Sequence, residues 1–310
     1  MQLTINNQVI DADAGRTILE VARARGIEIP TLCHHKDLSP VGSCRLCLVQ
    51  VSGLSAPVPA CATLAQSGMA IQTETPALAQ HRKLVLEMLL SDYCDNGYAA
   101  DDQPETEFQR WVRHYTAERP GWATTAPRYR VDSDRNPFVW VDLNKCILCT
   151  RCVRACAEVQ GRFVWGVAGR GRDARIAAGA DTTMLDARCE SCGACAAYCP
   201  TGALDDRMAI ATGRPDRLVT TTCPYCGVGC QFDLNVKDDR IIRVTSNPAA
   251  PVNGMSLCVK GRYGHDFVHH PDRLLKPRVR EYLLDGRGRP ADSDRGRWVE
   301  VDWDRAANLG

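Results

Sequence analysis

The sequence predicts a multidomain α+β chain in which small strands and helices carry cysteine-bearing loops. Three observations lead to this prediction. Residues 1–75 alternate apolar and polar side chains around turn signals, residues 76–115 place apolar side chains at helical spacing, and closely spaced cysteines recur between residues 33 and 258. A chain of 310 residues is long enough for two or three domains.

The first domain, residues 1–75, is predicted to be rich in strands. The pair Asn6-Asn7 stands between two short apolar segments, which is the pattern of a β-hairpin. Thr17 followed by Glu20 is a capping box that begins a short helix. The cysteines that follow lie among prolines and glycines, so we expect them on loops.

Residues 76–136 are predicted to form a helical segment that continues into a linker. Leu84, Leu86 and the run 88–90 supply an apolar helix face, whereas residues 117–136 are rich in proline, glycine, arginine and aspartate. The cysteines set the remaining boundaries. They place a domain at 137–212, another at 217–275 and a charged tail at 276–310.

Composition excludes several classes of function. The 38 basic residues nearly balance the 37 acidic ones, so we expect no nucleic-acid partner. The apolar runs are too short to cross a bilayer and the amino terminus shows no export signal, so we expect a cytoplasmic protein without a membrane partner. The chain has seventeen cysteines, most of them two or three residues apart, and in a reducing compartment this spacing indicates metal ligation, with dense disulfides as the alternative.

The first cysteine motif, Cys-x10-Cys-x2-Cys-x13-Cys, lies in the first domain. Its candidate ligands are Cys33, Cys44, Cys47 and Cys61. Loop thiolates at this spacing suit an iron–sulfur cluster, and a structural zinc site is the alternative. A Rieske centre would need two histidine ligands; His34 and His35 have no second Cys-x2-His to complete one, so we interpret them as solvated loop residues.

The second and third motifs are copies of each other. Both read Cys-x2-Cys-x2-Cys-x3-Cys, the run of bacterial ferredoxins with two [4Fe–4S] clusters, in which the fourth cysteine binds the other cluster. This rule assigns one cluster to Cys146, Cys149, Cys152 and Cys199. It assigns the other cluster to Cys189, Cys192, Cys195 and Cys156. Ala157 stands where the first run would usually have a proline.

The fourth motif, Cys-x2-Cys-x3-Cys-x27-Cys, precedes the segment Val259-Lys-Gly-Arg. Three close thiolates and a remote one suit a single [4Fe–4S] cluster, and zinc is again the alternative. The candidate ligands are Cys223, Cys226, Cys230 and Cys258. The four motifs use sixteen of the seventeen cysteines and leave Cys94, which we expect to be a buried or free thiol.

The order of these motifs resembles a known family. Together with the segments 222–231 and 257–264, it resembles the amino-terminal part of the catalytic α subunit of cytoplasmic NAD-dependent formate dehydrogenases, in the molybdopterin oxidoreductase superfamily. The first domain is similar to plant-type ferredoxins and to the corresponding domain of the complex I large iron–sulfur subunit. This similarity implies a β-grasp domain with one [2Fe–2S] cluster. The resemblance also implies that a molybdopterin oxidoreductase domain starts near residue 217.

The resemblance further implies a mechanism. Formate would be oxidised at a molybdenum or tungsten bis-molybdopterin guanine dinucleotide centre, and electrons would leave singly past Lys260, which in the family bridges the nearest cluster and the pterin. They would cross the three [4Fe–4S] clusters and the [2Fe–2S] cluster to a flavin- and NAD-binding diaphorase-type partner subunit. The substrate pocket of the family lies beyond residue 310. We therefore expect no catalytic residue in this chain and no formate oxidation by it alone, with the remainder of the catalytic subunit as a further partner if the chain is a fragment.

Two alternatives and one departure from the family complete the predictions. The alternatives are another NAD-linked complex, such as a hydrogenase or a complex I-like assembly, and a stand-alone electron-transfer subunit that is not itself catalytic. Relatives often carry an additional cluster held by one histidine and three cysteines. His81, His114 and Cys94 are the candidates for it here, and we predict that this cluster is absent.

Overall fold

The computed structural model describes residues 1–98, 102–123, 126–286 and 296–309. Strands and helices both occur throughout these residues, which confirms the prediction of a mixed α+β chain. The strands are β1 (Gln2–Ile5), β2 (Gln8–Asp11), β3 (Leu48–Val51), β4 (Val58–Pro59), β5 (Ala70–Gln72), β6 (Val139–Val141), β7 (Trp165–Ala168), β8 (Arg175–Ala178), β9 (Leu204–Asp206), β10 (Arg217–Thr222), β11 (Gln231–Lys237), β12 (Arg240–Ser246), β13 (Arg278–Arg280) and β14 (Trp298–Glu300). The α-helices are α1 (Ile18–Ala24), α2 (Pro76–Asp92), α3 (Glu107–His114), α4 (Arg151–Arg154), α5 (Ala194–Ala197), α6 (Val259–Tyr263), α7 (Glu281–Leu284) and α8 (Trp303–Ala307).

The chain divides into two compact units, Met1–His265 and Asp266–Gly310. The smaller unit contains the antiparallel pair β13–β14 and the short helices α7 and α8. Asp302 caps α8 by accepting a hydrogen bond from the backbone N–H of Arg305. All four cysteine motifs lie in the larger unit. No helix among the described residues is long and apolar enough to cross a membrane.

The first domain is a five-stranded mixed sheet with α1 packed against it. The strand order is β2-β1-β5-β3-β4, with β1 and β5 parallel and the other neighbours antiparallel. Asn6 and Asn7 form the predicted hairpin turn at φ values of 49° and 66°, a conformation that asparagine tolerates. Thr17 and Glu20 form the predicted capping box of α1. The core includes Leu3, Ile5, Ile18, Leu19, Val49 and Ile71.

The predicted helical segment forms α2 and α3, each capped by a threonine. The apolar face predicted for α2 is only partly right. Leu86 is fully buried, but Leu84 and Met88 are 49% and 70% exposed. Because successive helical residues turn by about 100°, side chains spaced by two point to opposite sides and cannot share a face.

Each of the duplicated cysteine runs contains one turn of helix, α4 in the first run and α5 in the second, and this turn carries the third cysteine of the run. Two small antiparallel pairs, β6 with β9 and β7 with β8, support them. Further along the chain, β10, β11 and β12 form an antiparallel sheet against which α6 packs. These elements are short, so the cysteine loops between them depend on long-range contacts for their position.

Candidate iron–sulfur sites

The first cysteine group lies on the loops that join α1 to β3 and follow β4. It consists of Cys33, Cys44, Cys47 and Cys61. Three of these cysteines are buried and Cys44 is half-buried. The thiols lie in direct contact, because Cys33 hydrogen-bonds with Cys44 and Cys61, and Cys47 hydrogen-bonds with Cys61. The structure therefore brings together all four residues that the first motif selected.

Hydrogen bonds among the four thiols of this group shift their pKa values in opposite directions. Hydrogen bonds from Cys44 and Cys61 lower the pKa of Cys33, and a hydrogen bond from Cys61 lowers the pKa of Cys47 to about 7. The same hydrogen bonds, together with burial, raise the pKa of Cys44 and Cys61. A buried cluster of thiols cannot carry four negative charges in this arrangement unless a cation neutralises them. This donor set fits a positively charged iron core.

The prediction that the two histidines beside Cys33 are solvated was wrong for His34, and His35 is half-buried. His34 is buried, with Nδ1 3.4 Å from Nη1 of Arg23. The pKa of His34 is lowered to about 4, mainly by burial, and the positive charge of Arg23 contributes to the lowering. His35 packs edge-on against Tyr198 at a centroid distance of 4.6 Å. The loop of the first group is thus packed against the ferredoxin-like domain, which a local pattern could not reveal.

The second group contains the first three cysteines of one run and the last cysteine of the other. Its members are Cys146, Cys149, Cys152 and Cys199. Burial raises the pKa of Cys146 and of Cys149 to about 12, and in both cases the nearby Cys199 raises it further. Cys152 is buried and lies near the other three. The crossed position of Cys199 agrees with the ferredoxin rule.

The third group shows the reciprocal arrangement. Its members are Cys189, Cys192, Cys195 and Cys156. Burial raises the pKa of Cys195, with further contributions from the neighbouring Cys192, Cys189 and Cys156. Burial likewise raises the pKa of Cys189, beside Cys192 and Cys156. The fourth cysteine of the first run therefore lies with the second run.

Backbone N–H groups point at the sulfurs of both ferredoxin-type groups. The N–H of Leu148 donates to Sγ of Cys146 at 3.5 Å, and the N–H of Ser191 donates to Sγ of Cys189 at 3.3 Å. Leu148 and Ser191 occupy equivalent places in the two runs and both have left-handed φ values, 53° and 54°. Hydrogen bonds to the sulfurs are one of the factors that set the reduction potential of a cluster. The two loops are therefore built alike and are suited to hold the same kind of cluster.

The fourth group lies beside α6 and is more open than the others. It consists of Cys223, Cys226, Cys230 and Cys258. The other three cysteines all lie near Cys230, whose pKa is raised first by desolvation and then by these neighbours. Cys226 and Cys258 are exposed. Lys260, two residues after Cys258 on α6, is exposed as well.

The donor atoms of the four groups are of one kind. Within the described ranges, no three histidine, cysteine or carboxylate side chains converge closely enough to hold one metal ion. The donors of the four groups are thiols alone, the ligand type of [2Fe–2S] and [4Fe–4S] clusters. This chemistry fits iron–sulfur clusters in all four places.

The three candidates for an additional cluster each contact a different neighbouring residue. Nε2 of His81 is 3.3 Å from the carbonyl oxygen of Arg45. The ring of His114 packs edge-on against Trp111, and the thiol of Cys94 lies 3.7 Å from Oδ1 of Asn96. Each candidate thus has a structural contact of its own.

Sequence reasoning missed the arginines that hold these loops. Arg154 donates to the carbonyl oxygen of Cys33, and Arg262 donates to that of Cys192. Both arginines lie inside or next to a cysteine motif, which is the only signal that the sequence offers. Their partners are 121 and 70 residues away in the chain, so the contacts themselves were not predictable from spacing.

Three protein families match successive parts of the chain. Residues 1–76 match a 2Fe-2S iron-sulfur cluster binding domain, and residues 136–205 match the ferredoxin-like domain of NADH-quinone oxidoreductase subunit 3. Residues 216–270 match the molybdopterin oxidoreductase Fe4S4 domain. Each match contains one or two of the cysteine groups described above.

Several named proteins are similar over most of the chain. Over 286 residues the chain is 38% identical to the second G-type subunit of NADH-quinone oxidoreductase from Rhizobium meliloti, a match that covers 90% of this chain and 33% of that protein. It is 34% identical to the NADPH-Fe(3+) oxidoreductase subunit alpha of Geobacter sulfurreducens, covering 92% and 33%. A putative formate dehydrogenase of Staphylococcus haemolyticus is 24% identical, covering 96% and 33%. The chain therefore spans about a third of the length of these relatives.

A solved structure is similar as well. A chain in the crystal structure of an NAD+-reducing [NiFe]-hydrogenase in the H2-reduced state matches with a TM-score of 0.60 and 31% identity. The match covers 67% of this chain and 88% of that chain. The likeness thus extends to an assembly whose name couples a hydrogenase to the reduction of NAD+.

Proposed function

Because this chain belongs to the molybdopterin oxidoreductase family that includes the G-type subunits of NADH-quinone oxidoreductase, and represents its N-terminal iron–sulfur region, we propose that it conducts electrons within an NAD-linked oxidoreductase complex. Its residues would hold one [2Fe–2S] and three [4Fe–4S] clusters. These cofactors supply one-electron transfer when bound, while the protein fixes their positions and potentials.

The observation that carries this proposal is the grouping of sixteen thiols into four sets within one compact unit. The first group would hold the [2Fe–2S] cluster, and the second, third and fourth groups would hold [4Fe–4S] clusters. Crossed cysteines connect the second group to the third, and single arginines connect the outer groups to them. The chain therefore arranges its candidate sites in a continuous series.

The two ends of the series differ in exposure. Cys226 and Cys258 of the fourth group are exposed, whereas the first group is mostly buried. Lys260 lies on the open side, where it would connect the fourth site to a pterin cofactor in the complete protein. We place a flavin- and NAD-binding partner subunit at the end that carries the first group.

The proposal also concerns the reaction that supplies electrons at the end of the series that carries the fourth group. Formate oxidation at a molybdenum or tungsten bis-pterin centre is one candidate, supported by the segment Val259-Lys-Gly-Arg and by relatives named as putative formate dehydrogenases. A different NAD-linked complex is supported about equally, because the more similar relatives are named for NADH-quinone and NADPH-Fe(3+) reactions. In either case this chain carries electrons and another part of the complex binds the substrate.

Metal analysis of the complex, purified anaerobically with its partners attached, tests the proposal. We expect about fourteen iron atoms for the sites of this chain, from one two-iron and three four-iron clusters. Molybdenum or tungsten together with formate-dependent reduction of NAD+ would support the formate dehydrogenase assignment. Full iron with neither metal would leave the electron-transfer role and refute formate oxidation, and zinc in place of iron would refute both.

A further inference from the structure

One arginine lies between the first and second cysteine groups. Arg154, the last residue of α4, donates from Nη2 to the carbonyl oxygens of Cys33 and Cys149, the latter at 3.2 Å. Its Nη1 donates to the carbonyl oxygen of Ser39 at 2.6 Å. A single guanidinium thus binds the main chain of two cysteines that belong to different groups.

A second arginine lies between the third and fourth groups. Nε of Arg262 donates to the carbonyl oxygen of Cys192 at 2.9 Å, and its Nη2 donates to the hydroxyl of Ser246 at 2.8 Å. The backbone N–H of the same residue donates to the carbonyl oxygen of Cys258 at 3.1 Å. Arg262 therefore connects a cysteine of the fourth group to one of the third.

The two arginines bind equivalent carbonyls of the duplicated runs. Cys149 and Cys192 are each the second cysteine of their run. In the first run, the arginine comes from the run itself. The corresponding position in the second run is Ala197, so Arg262 arrives from α6 instead. Two unrelated elements thus supply the same contact at the two ends of the ferredoxin-like domain.

Gly193 keeps the space that Arg262 needs. A Cβ atom on this glycine would lie 2.3 Å from Cδ of Arg262 and 2.3 Å from the hydroxyl of Tyr263. The backbone conformation alone does not require glycine, since Thr150 has a similar φ of 57° at the equivalent position, against 70° for Gly193. The close approach of Arg262 is therefore the specific reason for glycine.

Both guanidiniums bind neutral groups beside the cysteines. Their hydrogen bonds within the described part of the chain go to carbonyl and hydroxyl oxygens. Arg151 differs, because Glu107 binds it through two hydrogen bonds of 2.8 and 3.0 Å. Reduction adds a negative charge to a cluster, so a positive charge nearby favours the reduced form.

We propose that Arg154 and Arg262 are the paired positioning residues of the two junctions, each holding a cysteine carbonyl against the neighbouring domain and raising the reduction potentials of the clusters on either side. This inference rests on the proposed function, because it requires bound clusters. It adds a role for residues that bind no iron themselves.

An EPR-monitored redox titration of the native complex tests the proposal. Arg154→Gln and Arg262→Gln remove the charge and keep an amide donor, whereas the lysine variants keep the charge. We expect Arg154→Gln to lower the one-electron reduction equilibrium constant of the [2Fe–2S] signal about tenfold, equivalent to about 59 mV. Arg262→Gln should leave the reduction potential of the [2Fe–2S] signal unchanged and lower the potential of a [4Fe–4S] signal by a similar amount. Arg113→Gln is the matched control, since Arg113 is exposed and forms an ion pair with Glu105.

Iron and acid-labile sulfide are measured on every variant, so that loss of clusters is distinguished from a shift in potential. Fully loaded glutamine variants with unchanged potentials would overturn this inference and leave the proposed function standing. A wild-type complex without iron and sulfide would overturn both. If a glutamine variant loses its clusters, the lysine variant at the same position is titrated instead. A reduction potential close to that of the wild type supports the role of charge, and a tenfold fall in the reduction equilibrium constant refutes it.

Discussion

Nε of Arg82 donates to the carbonyl oxygen of Leu46 at 3.2 Å, in the loop between two candidate ligands of the first group. The guanidinium of Arg82 is completely buried. Its Nη2 also donates to the carbonyl oxygens of Leu48 at 3.0 Å and Thr73 at 2.7 Å. One side chain of α2 thereby fixes the loop that carries the first group to β3 and to the residue that follows β5.

Replacing Arg82 by methionine should destabilise the first domain and its cluster. Three carbonyls would lose their donor, and two of them lie in buried hydrogen bonds. At about 1–3 kcal/mol for each buried carbonyl, we expect a loss of about 2 kcal/mol or more. Anaerobic urea unfolding, followed by circular dichroism and visible absorbance, measures this loss. Lys83→Met is the control, because Lys83 forms a half-exposed ion pair with Glu87 and its replacement should cost less than about 1 kcal/mol. Equal midpoints for the two variants would contradict the role assigned to Arg82.

The crossed arrangement of the ferredoxin-type groups predicts which cluster each variant loses. Cys199→Ser should perturb the cluster held by the first run, and Cys156→Ser the cluster held by the second run, because these thiols lie with the opposite run. Iron content and EPR spectra of the two variants measure the effect. Cys94→Ser should leave both unchanged. If Cys199→Ser affected only the signal that Cys192→Ser affects, the crossed assignment would be wrong.

Local features of the fold could be predicted from the sequence, whereas contacts between domains could not. The turn at Asn6-Asn7 and the capping box at Thr17 depend on neighbouring residues, so their patterns were sufficient. The cysteine groups were predictable because ligand spacing and the crossing rule are fixed by cluster geometry. The burial of His34 and the partners of Arg154 depend on how distant segments pack, and no local spacing encodes that.

Lys260 is expected to affect electron transfer and not the assembly of the clusters. It is exposed on α6, so its replacement by methionine should leave iron content unchanged. Under the proposed role beside the fourth site, Lys260→Met should slow reduction of the clusters by substrate at least tenfold, while Lys260→Arg retains most of the rate. Stopped-flow absorbance of the complex measures this rate. Lys276→Met, at another exposed position, is the control, and equal rates for the two methionine variants would refute the role.

Gly193→Ala should displace the side chain of Arg262 from the position in which it donates to the carbonyl oxygen of Cys192. The new methyl group would clash with both Arg262 and Tyr263, and overpacking of this kind costs about 1–3 kcal/mol. Gly161→Ala is a matched control, because Gly161 has a similar φ of 63° and a methyl group there would meet nothing within 4 Å. We expect Gly193→Ala to melt clearly below Gly161→Ala in anaerobic thermal unfolding. Equal melting temperatures would mean that backbone strain, and not the space for Arg262, is the reason for glycine.

Asp206 makes the stability of the ferredoxin-like domain depend on pH. Burial raises its pKa to about 6, against the opposing charges of Arg243 and, more weakly, Arg262, and Asp205 raises it slightly. The carboxyl is therefore neutral in the folded chain at pH 5 and must ionise in a buried place at higher pH. Since the folded pKa lies above the ordinary value of 3.8, its contribution to stability is complete below about pH 4 and is lost as the pH rises through 6.

Asp206→Asn should remove this dependence. The amide oxygen can still accept the hydrogen bond that the backbone N–H of Met208 donates to Oδ1 at 2.9 Å, and Arg243 keeps its partner Asp205 at 3.3 Å. A shift of about two pKa units corresponds to at most about 3 kcal/mol. We therefore expect the variant to exceed the wild type in melting temperature by an amount that grows between pH 5.5 and pH 8. Asp239→Asn, at an 88% exposed side chain, should show no such trend, and a difference for Asp206→Asn that stays constant with pH would show that the carboxyl is already ionised throughout this range.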